Sequence, residues 1–217
     1  MAESVPAEKP TSAVKAAIKR SLHLVAVVAV SPWLLAYAAS KSVLGPHRAL
    51  EGSSQSLAGL PGLIGVYLRR AFLAQVLTRC ALSAEVHYGT LFSQAGAVID
   101  ENVYVGPRCQ LGWVHLEADV LLAAGVQIPS GGKTHAFDDP TLPIRAQGGE
   151  RRLVTIGAGA WIGNAAIVLA DVGKGTIVGA GSVVTKPLPD FVIAAGVPCR
   201  VIRPRFPTPP SDEGSSA

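Results

Sequence analysis

The sequence predicts an all-β fold, a parallel coil of short flat faces, carried behind a hydrophobic and helical N-terminal extension. Three observations predict it. From Leu91 onward apolar residues return every six positions, a beat that fits neither the 3.6-residue period of a helix nor the simple alternation of an open sheet. The chain is 49% hydrophobic and only 16% charged, with 23 glycines in 217 residues; disordered chains lack that apolar content and helical bundles avoid that much glycine. Ahead of the beat, Leu22 to Ala39 runs without a formal charge.

Taken in chain order, residues 1–21 are expected to be a flexible basic tail. Residues 22–40 form a membrane-associated hydrophobic segment, "LHLVAVVAVSPWLLAYAA" with Lys15, Lys19 and Arg20 before it and Lys41 and Arg48 after it. Three readings compete: a cleaved leader ending near Ala36-Tyr37-Ala38, a single span of about 27 Å against a core of about 30 Å, and an interfacial or re-entrant hairpin bent at Ser31-Pro32. Basic residues on both flanks favour the hairpin, with both ends on the cytoplasmic face. Residues 41–82 are read as a linker and a helix. Within 60–80, Leu63, Val66, Leu73 and Leu77 share a face, and Arg69, Arg70 and Arg79 are expected to snorkel to solvent; a helix packed on its own domain is as compatible as one lying on a membrane.

Residues 83–205 are the coil domain. Leu91, Ala97, Val103 and Cys109 mark one inward position, and Ser93, Ile99, Val105 and Leu111 the other. After a one-residue slip come Leu116, Leu122 and Ile128 with Val120 and Val126, then Ile156, Ile162 and Val168 with Ala160, Ala166 and Val172, then Val178 and Val184. Each hexad is one face, and inward residues stack on those of the neighbouring coils. A loop over residues 129–153 interrupts the beat, and residues 206–217 are expected to be a disordered tail.

A net charge of +4 and a pI near 9.1 come without an aromatic-interleaved basic stripe, so no nucleic-acid partner is expected. Cys80, Cys109 and Cys199 are odd in number and widely spaced; neither a zinc pair nor a disulfide framework follows, which mildly favours a reducing compartment. The interrupting loop lies in "GVQIPSGGKTHAFDDP". Its Gly132-Lys133-Thr134 is not a P-loop, because the first glycine of that motif would fall at Gln127 and Pro140 and Pro143 prevent a following helix. That leaves His135 as the residue with chemistry to explain.

The segments "VYVGPRCQLG", "IGAGAWIGNAAIVL" and "VGAGSVVTKPLPDFVIAAGVPCRVIR" resemble the hexapeptide-repeat acyltransferases, particularly the galactoside and maltose O-acetyltransferase branch. The resemblance implies a left-handed parallel β-helix, an exception to the right-handed crossover rule, and a C₃ homotrimer. It makes His135 the general base, within Thr134-His135-Ala136-Phe137-Asp138, and pairs Asp138 with it. An imidazole titrating near neutrality can take the proton of a sugar hydroxyl as the oxygen attacks a thioester. Acetyl-CoA is the implied co-substrate: Trp161, Asn164 (often Ser in the family) and Ala180 along the acyl and pantetheine arm, and Thr185, Lys186, Arg200 and Arg203 toward its phosphates. "VLADVGKGTIVG" runs two residues short of the family's stretch, implying a trimmed coil. The N-terminal 80 residues are more similar to membrane-attached relatives associated with surface polysaccharide synthesis, which implies a membrane-linked or surface glycan as acceptor. His87, Tyr88, Thr90 and Ser93 are further candidates for facing it.

Two other readings remain from the residues. A γ-type carbonic anhydrase uses such a coil but needs three converging histidines, for which His87, His115 and His135 are the candidates. A purely structural coil needs neither the histidine loop nor the basic end.

Overall fold

The computed structural model describes residues 13–206. Four helices come first: α1 (Ala13–Ala29), α2 (Ser31–Leu44), α3 (Pro46–Ala58) and α4 (Gly62–Val76). Residues 13–21, expected as tail, therefore belong to α1; residues 1–12 and 207–217 lie outside the described residues. Pro32 sits in the first turn of α2, where its missing N–H has no partner to lose. The segments Ser21–Ala29 and Ser31–Leu44 meet at 54°, so the predicted bend at Ser31-Pro32 is present. Among the described residues no single helix is long and apolar enough to cross a membrane.

The expected linker is largely helix. Residues 41–44 finish α2, Gly45 reverses the chain at φ +81°, and Pro46 opens α3. Trp33 Nε1 donates to Ser56 Oγ at 3.1 Å, tying α2 to α3, and Tyr37 meets Phe72 of α4 edge to face. Val66, Ala71, Phe72, Leu73, Val76 and Leu77 are buried, which settles α4 as a helix packed on its own domain. Leu63, placed on that face by the sequence, is 76% exposed, and Arg69 and Arg70, expected to reach solvent, are 3% and 4% exposed. Arg69 draws together carbonyls at and beyond the end of α3, donating through Nη1 to Leu57 O (3.2 Å), which also accepts from Leu60 N (3.2 Å), and to Leu60 O (2.6 Å), and through Nε to Val86 O of the first coil (3.0 Å); Arg70 lies over the Tyr67 ring, 4.6 Å from its centroid.

The rest is a left-handed parallel β-helix of three faces. Face A stacks β1 (Arg79–Cys80), β4 (Val98–Ile99), β7 (Val114–Leu116) and β10 (Val154–Ile156). Face B stacks β2 (Glu85–Val86), β5 (Tyr104–Val105), β8 (Leu121–Leu122), β11 (Trp161–Ile162), β13 (Ile177–Val178) and β15 (Val192–Gly196), closed by the antiparallel β16 (Cys199–Pro204). Face C stacks β3 (Leu91–Phe92), β6 (Gln110–Leu111), β9 (Gln127–Ile128), β12 (Ile167–Val168) and β14 (Val183–Val184). With β1 in the first coil, the domain begins ahead of residue 83.

The hexad positions from Ala97 to Val184 point inward and are buried. At the first of them the register differs by one: Phe92 is buried, while Leu91 and Ser93 are half-buried. The large ring fills the space below α3, whose Ser54 Oγ accepts from Phe92 N at 2.9 Å. The trimmed coil occurs twice. Val172 bridges to both Ile156 and Leu188, so after Val168 and again after Val184 the next inward residue comes four positions on rather than six. Thr176 and Ser182, inward polar residues here, bond to backbone: Thr176 Oγ1 donates to Pro189 O (2.6 Å) and Ser182 Oγ accepts from Gly196 N (3.1 Å).

Candidate functional site

The loop leaves the coil after β9, at the corner between faces C and A, and returns into β10. It is an arm held by its own backbone: Arg152 N donates to Ser130 O (2.9 Å), Glu150 N to Lys133 O (2.7 Å) and Ala136 N to Gly148 O (3.1 Å). At its base Ser130 Oγ accepts from Trp113 N (2.9 Å), and Asp171, bonded to Thr155 N (2.9 Å), faces Arg152 at 3.4 Å. Gly149 has no room for a side chain, since a Cβ would strike the Thr134 carbonyl and His135 Cα. This close approach fixes where His135 stands. At the tip Thr141 donates to Asp139 Oδ1 through both N (2.8 Å) and Oγ1 (2.6 Å), which holds the Asp139 carboxyl below its ordinary pKa.

The arm separates two clefts. One, of about 700 Å³, lies between the α2–α3 turn and face C; Thr134 and Arg151 form its loop wall, His47, Arg48, Glu51 and Gln55 its helical wall, and Ser93, Gln110 and Gln127 its coil wall. The other, of about 520 Å³, lies on the far side of the arm, lined by Lys133, Glu150, Arg152, Leu169, Ala170 and Thr185. His135 follows directly on residues that line both, and it is exposed. Asp138 is exposed as well, and among the described residues no ion pair joins it to His135. His135 itself lines neither cleft, standing one residue beyond Thr134 of the first and two beyond Lys133 of the second; an exposed imidazole at that point of the arm is placed to take a proton from a bound hydroxyl.

The residues assigned to the donor do not all gather in one chain. Thr185 and Lys186 lie beyond β14, at the same C–A corner as the arm. Asn164 and Ala180 lie at the opposite end of face C, in stacked corners where Gly181 N donates to Asn164 O at 2.8 Å. The two-residue strands β12 and β14 lie between the two corners. Trp161 faces outward on face B above Leu121 and below Ile177. Arg200 and Arg203 project from β16, each with Nη1 on a neighbouring carbonyl at 3.0 Å, of Cys199 and Pro204 respectively.

Of the four further candidates, Ser93 alone lines the large cleft. Thr90 is structural, donating to Gly106 O (2.8 Å) and accepting from Cys109 N (3.3 Å). His87 lies against Tyr104 on face B, ring centroids 4.6 Å apart. His115 bonds Asp100 on face A at 2.9 Å. His87, His115 and His135 thus occupy two different faces and the arm, and do not converge within one chain. Among the described residues no group of three or more His, Cys, Asp or Glu is arranged to hold a metal ion. The helical wall of the large cleft was missed from the sequence, although Arg48, Glu51 and Gln55 have the spacing of one helix face and Gln110 and Gln127 each precede an inward residue.

No family model matches the chain. It is 52% identical over 52 residues to the galactoside O-acetyltransferase of Escherichia coli (strain K12), covering 23% of this chain and 26% of that one. It is 40% identical over 125 residues to the galactoside O-acetyltransferase of Lactococcus lactis subsp. lactis (strain IL1403), covering 54% and 52%. The chain therefore spans about half or less of the length of these curated relatives. Among solved structures, a maltose O-acetyltransferase from Clostridium difficile 630 superposes with a TM-score of 0.61 at 25% identity, over 74% of this chain and 87% of that one. By sequence and by fold, the coil domain is similar to the hexapeptide-repeat acyltransferases, on their galactoside and maltose O-acetyltransferase branch.

Proposed function

We propose that this protein is an acetyl-CoA-dependent O-acetyltransferase acting on a sugar hydroxyl of a membrane-linked or surface glycan. The observation that carries the reading is the arm that carries exposed His135 next to the walls of two clefts, joined to the similarity of the coil to galactoside and maltose O-acetyltransferases. In it, the acceptor occupies the large cleft and the donor thioester approaches from the Lys133–Thr185 side. His135 takes the hydroxyl proton as the oxygen attacks the thioester carbonyl carbon. As the carbon–sulfur bond breaks, the imidazolium returns that proton to the departing thiolate, leaving an ester and a free thiol. Lys133, Arg152 and Lys186 supply positive charge toward the donor's phosphates.

The donor residues sit on two edges of the coil, and a C₃ trimer would let the C–A edge of one subunit meet the B–C edge of the next. Each of three sites would then be shared between neighbours. Membrane attachment is supported by the helices: Leu22, Leu24, Val25 and Val28 of α1, Leu35 and Val43 of α2, and Leu63 and Ile64 of α4 are exposed apolar side chains, flanked by the basic residues of the sequence. The bend itself, at Val30, is fully buried, which favours a helical face lying on the cytoplasmic side of the bilayer over a hairpin plunging into it. The test is acceptor-dependent release of free thiol from acetyl-CoA, with mass spectrometry of the glycan product. An added acetyl ester on a sugar supports the reading; thioester consumption that no glycan accelerates contradicts it.

A further inference from the structure

We infer that α3 is the acceptor-recognition wall of the site, with Glu51 and Arg48 selecting the sugar held against face C. The inference rests on the acetyltransferase reading and adds where, and through which side chains, this chain reads its acceptor. Arg48, Glu51 and Gln55 fall on one side of α3, three and four residues apart, and all three are exposed toward the large cleft. Opposite them Gln110 and Gln127 are paired in register on neighbouring coils, with outward side chains one strand spacing apart, about 4.8 Å. Among the described residues no ion pair engages Arg48 or Glu51, so a carboxylate and a guanidinium face two amides with their hydrogen-bonding capacity unspent. A ring bearing several hydroxyls, each both donor and acceptor, is the ligand class such a set fits. The cleft of about 700 Å³ is of the size that holds small-molecule ligands.

The wall is built to stay in place. Ser54 Oγ accepts from Phe92 N (2.9 Å), His47 Nδ1 accepts from Ala95 N (3.3 Å), and Arg69 ties the end of α3 to Val86. These contacts hold α3 to the coil on both sides of Glu51, so its carboxylate is presented by a rigid element rather than a loop. Because α3 belongs to the N-terminal extension, the extension then has two separate tasks, with α1 and α2 facing the membrane and α3 facing the acceptor.

The experiment compares the parent with Glu51→Gln and Arg48→Gln, both exposed positions whose substitution leaves the core untouched. The probes are methyl and octyl glycosides of glucose, galactose and N-acetylglucosamine, with acetyl-CoA as donor. For whichever glycosides are acetylated, each variant should raise the acceptor KM about tenfold, the loss of one charge-assisted hydrogen bond, with kcat and the dissociation constant for coenzyme A little changed. The order of preference among sugars should also change. Unaltered acceptor KM and sugar preference in both variants overturns the inference while leaving the acetyltransferase reading standing. Failure to acetylate any glycoside, with coenzyme A still bound, overturns it together with the sugar-acceptor reading; absence of coenzyme A binding overturns the acetyltransferase reading itself.

Discussion

Replacing Arg69 by Met should cost about 3 kcal/mol, because the guanidinium makes three charge-assisted bonds to carbonyls, of which Leu57 O alone keeps a second donor, Leu60 N at 3.2 Å. Its Nε and Nη1 reach Val86, Leu57 and Leu60 carbonyls at 3.0, 3.2 and 2.6 Å, in a site only 3% exposed. Each bond from a charged donor contributes about 1.5–3 kcal/mol. Part of that sum offsets the desolvation of a cation whose pKa is already lowered by burial, and Met recovers this part by filling the same volume with apolar atoms. The Leu60 and Val86 carbonyls still lose this donor. At about 2–4 °C per kcal/mol for a chain of this size, the midpoint should fall by roughly 6–12 °C. Thermal unfolding followed by circular dichroism measures it, and hydrogen exchange should show α3 and α4 losing protection ahead of the coil. A midpoint within 1 °C of the parent, or a higher one, would refute the argument that Arg69 fastens the helices to the coil.

Three further outcomes follow from the same geometry. Burial raises the Cys80 thiol from its ordinary value of 9.0 to about 12 and the Cys109 thiol to about 11; the folded state therefore holds protons that the unfolded chain releases, and stability should decline as pH rises from about 9 toward 12, less steeply in Cys80→Ala, as thermal midpoints across that range would show. Co-refolding His135→Ala with Ala180→Trp, each inactive alone, should restore about a quarter of parent activity if sites are shared between subunits of a trimer; mixtures as inactive as their components argue for a site within one chain. Leu24→Glu, Val28→Glu and Ile64→Glu combined should lower binding to anionic vesicles by roughly a thousandfold or more, since each buried aliphatic side chain contributes about 1.5–3 kcal/mol, while leaving the thermal midpoint unchanged because all three are exposed; flotation unaffected by the substitutions would remove this face as the attachment surface.

The coil was legible because its rule is local. Ala97 with Ile99, or Ala160 with Ile162, are inward pairs two residues apart, and six residues later the same choice recurs whatever the rest of the chain does. Where a distant element intrudes, the rule slips: Phe92 takes the inward place from Leu91 because α3 covers that corner. Arg69 was misjudged for the same reason, since its partners are carbonyls 9, 12 and 17 residues away and nothing in the helical pattern announces them. His135 was visible through its loop and its resemblance. The division of Asn164 and Ala180 from Thr185 across face C was not, because the order of residues in sequence does not reveal which corner of a three-sided coil each one occupies. The wall formed by Arg48, Glu51 and Gln55 went unread because its segment looked like a linker, Gly45-Pro46 suggesting a turn without showing that a helix follows.

In the proposed reaction His135 acts on the acceptor's proton and not on the donor. The most direct measurement is acetyl transfer by His135→Ala alongside its binding of coenzyme A by calorimetry. Loss of a general base should lower turnover about 10²- to 10⁴-fold, with coenzyme A affinity within a factor of about three of the parent. Transfer within tenfold of the parent would contradict the claim.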